Sequence, residues 1–153
     1  MLDTKDFLDA VLPRIARADT ALHNGDPRQR IDLWSRTEPV TLFGAALTAR
    51  GWTDIHRSFE RLGATFSHCE SFENEVVAAR VSGDLAYTVA FEHTTASVNG
   101  APAAPYTLRV TTIFCREDGE WKVVHRHGDA LPTDRHQGAH QAGRASSSAR
   151  DDR

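Results

Sequence analysis

Glu117-Asp118-Gly119 lies between two runs of alternating apolar and polar residues, Leu108–Cys115 and Trp121–His127. Asp-Gly in that setting is a strong hairpin signal, because a tight turn needs positive backbone φ and these residues tolerate it. Side chains alternate along a strand, so the second run puts Trp121, Val123, His125 and His127 on one face and Lys122, Val124 and Arg126 on the other. The first run divides Arg109, Thr111, Ile113 and Cys115 from Val110, Thr112 and Phe114. Two registers are open. A two-residue turn at Asp118-Gly119 sets Thr112 opposite His125, whereas a three-residue turn sets Thr111 opposite His125 and Arg109 opposite His127. The second is preferred, since it gathers a face that is apolar near the turn and polar at its far end, as the wall of a half-wet pocket would be.

Upstream of this hairpin the period is helical. Leu8, Val11, Leu12, Ile15 and Leu22 mark an amphipathic helix over Thr4–His23, with Asp19 on its inner stripe. Asn24-Gly25 ends it, and Asp26-Pro27 starts a second helix, about Pro27–Ser35, that offers Ile31 and Trp34 to the core. Val40–Phe43 reads as a short strand and Gly44–Arg50 as a loop. Trp52, Ile55, Phe59 and Leu62 form a third helical stripe through about Ala64. Beyond Thr65 the period becomes two: Phe66–Val81 and Asp84–Val98 join the hairpin in a long antiparallel set, with Leu85, Tyr87, Val89, Phe91 and His93 on one face. About three N-terminal helices followed by one curved antiparallel sheet predict an α+β fold with the helices covering the concave face. The segment from Thr133 has no large apolar residue, so residues 133–153 are expected to be a disordered tail to a single domain, 1–132.

Composition narrows the function. A formal net charge of -3 over 153 residues, without a clustered basic face, excludes a nucleic-acid footprint. No apolar run approaches a membrane span, and the start lacks a basic n-region and a long apolar core, so a cytoplasmic protein is expected. Cys69 and Cys115 have no metal-type spacing and read as reduced, packed thiols. The glycines are isolated, which gives no phosphate loop and no cofactor signature.

His125-x-His127 puts two imidazoles on one strand face, where they can bind a ligand oxygen or act as general bases. A metal held with Asp129 and His93 is not expected, because no HExxH, CxxC or acidic loop accompanies the pair. The catalytic candidates are therefore His125, His127, Asp19 and Asp129. Arg109 is the permanent charge on the expected pocket face, suited either to an internal ion pair or to gripping an anionic or oxygen-rich ligand. Thr111, Tyr87, His93, Trp34, Trp52 and Phe59 complete the expected ligand-binding set.

The pattern Arg109-x-Thr111 … Asp118-Gly119-x-Trp121-x-Val123-x-His125-x-His127 resembles the last hairpin of the nuclear transport factor two-like superfamily, in particular its SnoaL-like and calcium/calmodulin-dependent kinase association-domain branches. The resemblance covers the chain to about residue 131 and implies a cone with an open cup and a homodimer through the outer sheet face, where Val110, Phe114 and Val124 are expected. It also implies a small-molecule site without a cofactor, serving an isomerase, cyclase or hydrolase with a histidine base, or else a non-catalytic association module. The first-helix tyrosine of ketosteroid isomerases has no counterpart, since no tyrosine precedes Tyr87.

Overall fold

The computed structural model describes residues 3–132; the expected tail, 133–153, lies outside them. Three helices, α1 (Thr4–Leu22), α2 (Arg28–Asp32) and α3 (Trp52–Thr65), accompany six strands: β1 (Thr41–Gly44), β2 (Leu47–Arg50), β3 (Phe66–Ser82), β4 (Leu85–Val98), β5 (Ala104–Glu117) and β6 (Glu120–Ala130). The strands form one open sheet in the order β2-β1-β6-β5-β4-β3. It is antiparallel except where β1 runs parallel to β6. The expected α+β layout is present. Gly44–Arg50 is not a loop throughout: Leu47–Arg50 returns as β2 and pairs with β1, so a hairpin forms the sheet edge.

α1 begins at an Asp3 cap, whose carboxylate accepts from the Asp6 N–H at 2.8 Å. Its buried stripe of Phe7, Val11, Ile15, Ala18, Asp19 and Leu22 packs on the sheet. Phe7 meets Phe114 and Trp121 edge to face, both at 5.1 Å between ring centroids. Trp34 is fully buried beside Phe59 at 5.6 Å. The segment after α2 is pinned to β6 by Ser35 N–H to Val123 O at 2.9 Å and Val123 N–H to Leu33 O at 2.8 Å. Gly51, at φ 81°, lets the chain turn sharply into α3, whose free Trp52 N–H donates to the Glu38 carboxylate at 2.8 Å.

The hairpin register follows neither expectation throughout. Glu117 pairs with Glu120, and Asp118 and Gly119 both have positive φ (50° and 78°), as in a two-residue type I′ turn. Phe114 then pairs with Val123 but Ile113 with His125, so Val124 is an extra residue and β6 is bulged there. Beyond the bulge Thr111 lies opposite His127 and Arg109 opposite Asp129, which replaces the expected pairs Thr111 with His125 and Arg109 with His127. The bulge inverts the facing of β6. Trp121 and Val123 point toward the helices, and past Val124 the inward residues are Arg126 and Gly128. Val110 and Phe114, expected outside, are buried against the helices, and Val124 packs partly against the core. Gly119→Ala is expected to cost about 1 kcal/mol through its positive φ, read from urea unfolding midpoints, with the register unchanged.

Candidate functional site

The helix-facing side of the sheet has small residues along β4: Ala86, Thr88, Ala90, Thr94 and Ala96 are all buried. They leave room for α1 and for a cavity of about 310 Å³ at the end of the sheet away from the β5–β6 turn. Its walls are mostly apolar, with Leu22 from α1, Leu42 from β1, Phe59 and Leu62 from α3 and Leu108 from β5. The β1–β2 turn, Gly44-Ala45-Ala46, forms its lip. The volume falls at the lower end of the usual range for small-molecule sites, about 300–1,000 Å³.

The inner wall is charged. Asp19 sits on α1 one turn before His23, Arg30 comes from α2, Glu92 from β4 and Arg126 from beyond the bulge in β6. Arg126 donates in parallel to both Glu92 oxygens at 2.8 Å, a fork that fits guanidinium to carboxylate. Arg30 pairs with the Asp19 Oδ1 atom, and its guanidinium lies 5.6 Å from the Phe59 ring centroid. Burial alone would push Glu92 up, but the charge and paired hydrogen bonds of Arg126, with Arg30 and His23 behind them, hold it below the usual carboxylate value. Arg126 is raised, since Glu92 outweighs the burial that would lower it.

His23 bonds through Nδ1 to the Asp19 backbone carbonyl at 2.7 Å, which requires Nδ1 to carry the proton. Nε2 is then an acceptor, and the Tyr106 hydroxyl donates to it. Burial, with Glu92 and Arg126 nearby as opposing smaller influences, lowers the His23 pKa to about 4, so the ring is neutral at pH 7. Burial raises Tyr106. Two buried side-chain oxygens among the described residues have no hydrogen-bond partner: Asp19 Oδ2 and Asn74 Oδ1. Both residues also line a void of about 20 Å³ behind the charged wall.

Of the expected site residues, Asp19 and Phe59 line the cup, and Trp34 is core beside it. Trp52 lies away from the cup and stacks under Arg36 at 4.0 Å. His125, His127, Asp129, Arg109, Thr111, Tyr87 and His93 share the outer face, opposite the helices, where only Arg109, Thr111, His127 and Asp129 line one common depression. There Arg109 pairs with Asp129 at 2.9 and 3.0 Å, His125 with the Thr41 hydroxyl at 2.7 Å, and His93 with Thr107 at 2.9 Å. Phe43 meets both imidazoles edge to face. The expected cup wall is thus corrected. The bulge at Val124 and the inward facing of the Ala/Thr side of β4 exclude those seven residues from the cup. Their place is taken by His23, Arg30, Glu92, Tyr106 and Arg126, none of which the residue pattern singled out. Among the described residues, no three His, Cys, Asp or Glu side chains converge as a metal site, and no helix is long and apolar enough to cross a membrane.

Three helices laid on one face of a curved, unclosed sheet, with a cup at one end, define the nuclear transport factor two-like class. The chain belongs to the SnoaL-like domain family, whose model matches residues 11–132. No curated protein matches it. Its fold is shared by a protein of unknown function from Pseudomonas putida, at 20% identity and TM-score 0.68, covering 86% of this chain and 92% of that one. A candidate dehydratase of the same superfamily from Streptomyces avermitilis aligns at 18% identity and TM-score 0.66, over 84% and 99% of the two chains. A candidate calcium/calmodulin-dependent protein kinase II association domain from Xanthomonas campestris aligns at 16% identity and TM-score 0.60, over 83% and 87%.

Proposed function

We propose that this SnoaL-like domain binds a small organic molecule in the cup, with Asp19 as the group that meets its polar end. One observation carries this reading: an apolar cavity of ligand size is bordered by a buried carboxylate with one oxygen held by Arg30 and the other unpartnered. An unsatisfied buried carboxylate oxygen is costly in a protein that only needs to fold. It is readily explained in one that meets a hydrogen-bond donor there. Isomerase, cyclase or hydrolase chemistry in this cup would run through Asp19 rather than through His125 or His127, which lie on the outer face. The test is Asp19→Asn, which keeps the shape of the side chain and removes its charge. Ligand-dependent stabilisation in a thermal-shift screen is expected to fall at least tenfold in apparent affinity. Unchanged affinity would move the site elsewhere.

A second reading, a homo-oligomerising association module, rests on the outer face. It exposes Phe43, Val77, Leu85, Tyr87 and Ile113, and carries Arg109 and Asp129 side by side. A face bearing both charges and apolar residues can match a copy of itself about a two-fold axis. Sedimentation of the wild type is expected to give a dimer, and Ile113→Lys a monomer. A monomeric wild type would remove this reading and leave the cup reading intact.

A further inference from the structure

Resting on the cup reading, we infer that Arg30 is the donor that orients the ligand, and that the ligand carries a carbonyl or carboxylate oxygen to accept from it. Arg30 comes from α2, is 5% exposed, borders the cup and lies against the Phe59 ring in the cup wall. Asp19 Oδ1 accepts from Nη2, which is the only side-chain bond Arg30 makes among the described residues. Nε and Nη1 are therefore uncommitted. Nor are they sealed: the buried side-chain atoms without a partner are Asp19 Oδ2 and Asn74 Oδ1, so both Arg30 nitrogens keep accessible surface. Behind the wall Arg30 also borders the void of about 20 Å³, which has room for about one water. Of these two spaces, the cup alone admits an organic ligand. The other donors of the wall are already spent: Arg126 gives both terminal nitrogens to Glu92, and the Tyr106 hydroxyl donates to His23 Nε2. A largely buried cation with uncommitted N–H groups gains from each acceptor that reaches it, since charge-assisted bonds are about twice as strong as neutral ones. The guanidinium is planar and fixed by Asp19, so it favours an sp2 oxygen approaching in its plane.

The experiment is calorimetric titration of the full chain with probes that share a naphthalene body. Two of them accept, 1-acetylnaphthalene and 1-naphthoate. A third, 1-isopropylnaphthalene, has the shape of the ketone without its oxygen, and 1-naphthol is the better donor. At least one acceptor is expected to bind at least tenfold more tightly than the hydrocarbon and than naphthol. The ketone in the lead identifies a neutral carbonyl ligand, and naphthoate in the lead a carboxylate. Arg30→Lys keeps a positive charge beside Asp19 but replaces the fork by one nitrogen. It should reduce the preference over the hydrocarbon to below threefold and leave the hydrocarbon itself unchanged. Should that variant not fold, the wild type decides. The Arg30 guanidinium proton resonances are expected to move downfield with the leading acceptor and not with the hydrocarbon; unmoved resonances overturn the inference. Ala46→Trp, at the exposed lip of the cup, should weaken every probe that binds there. If the hydrocarbon or naphthol binds as tightly as both acceptors and Ala46→Trp blocks them, the cup reading holds and the inference is wrong. A preference that survives Arg30→Lys also overturns it, since another group would then hold the oxygen. If no probe binds, or Ala46→Trp changes nothing, the cup reading itself fails and the inference with it.

Discussion

Arg126→Met is expected to destabilise the fold by about 3–5 kcal/mol, the usual consequence of removing one partner from a buried ion pair. Glu92 is 5% exposed, and its two oxygens are held by the Arg126 fork, so the variant strands a largely buried carboxylate without its partner. Glu92→Gln should cost less, because an amide still offers one acceptor to the guanidinium. Replacing both by apolar residues, Glu92→Leu with Arg126→Met, should recover most of the loss, since the pair balances its own desolvation. Chemical unfolding of the three variants checks this. A single-variant loss under 1 kcal/mol would mean that the pair is wetter than the structure shows.

Acid should weaken the fold in a defined window. His23 has a folded pKa of about 4 against an ordinary value of 6.5. A histidine that is harder to protonate when folded favours the unfolded chain wherever only the latter binds the proton. Stability is therefore full above about pH 6.5, falls as pH drops toward 4, and levels off below it for this group. The 2.5-unit gap corresponds to about 3 kcal/mol. Glu92 acts in the same direction but lower: its folded value is depressed, so its contribution is present above its ordinary 4.5 and is lost as pH falls below that. Between pH 7 and 5 His23 is the main contributor, joined in the same direction by His125, whose pKa burial also lowers. His23→Gln should remove most of that slope, leaving the smaller part due to His125, and a slope retained in full would place the titrating group elsewhere.

Much of the fold was legible because its signals are local. The periods of α1 and α3, the Asp-Gly turn and the alternation of β4 each depend on neighbours in sequence. The site was not legible, because one inserted residue decides it. Val124 has no feature that marks a bulge, yet it turns His125 and His127 outward and brings Arg126 in. On β4 the apolar alternate set, Leu85 to Phe91, looked like the inward face. The helices instead pack on Ala86, Thr88 and Ala90, whose small side chains admit them. That choice carries Glu92 inward, and with hindsight an acid among small residues was the available signal. The inward placement of Asp19 on α1 was legible because helical spacing is robust to such slips. Tyr106 and His23 lie at the ends of their elements, where pattern is weakest.

The most direct test of the central claim, that the cup is the ligand site, is nuclear magnetic resonance on methyl-labelled protein with bound 1-naphthol. Intermolecular Overhauser contacts are expected to the methyls of Leu22, Leu42, Leu62 and Leu108, which line the cup. Contacts to Val77, Val89 and Ile113 on the outer face, with none to the cup methyls, would contradict it.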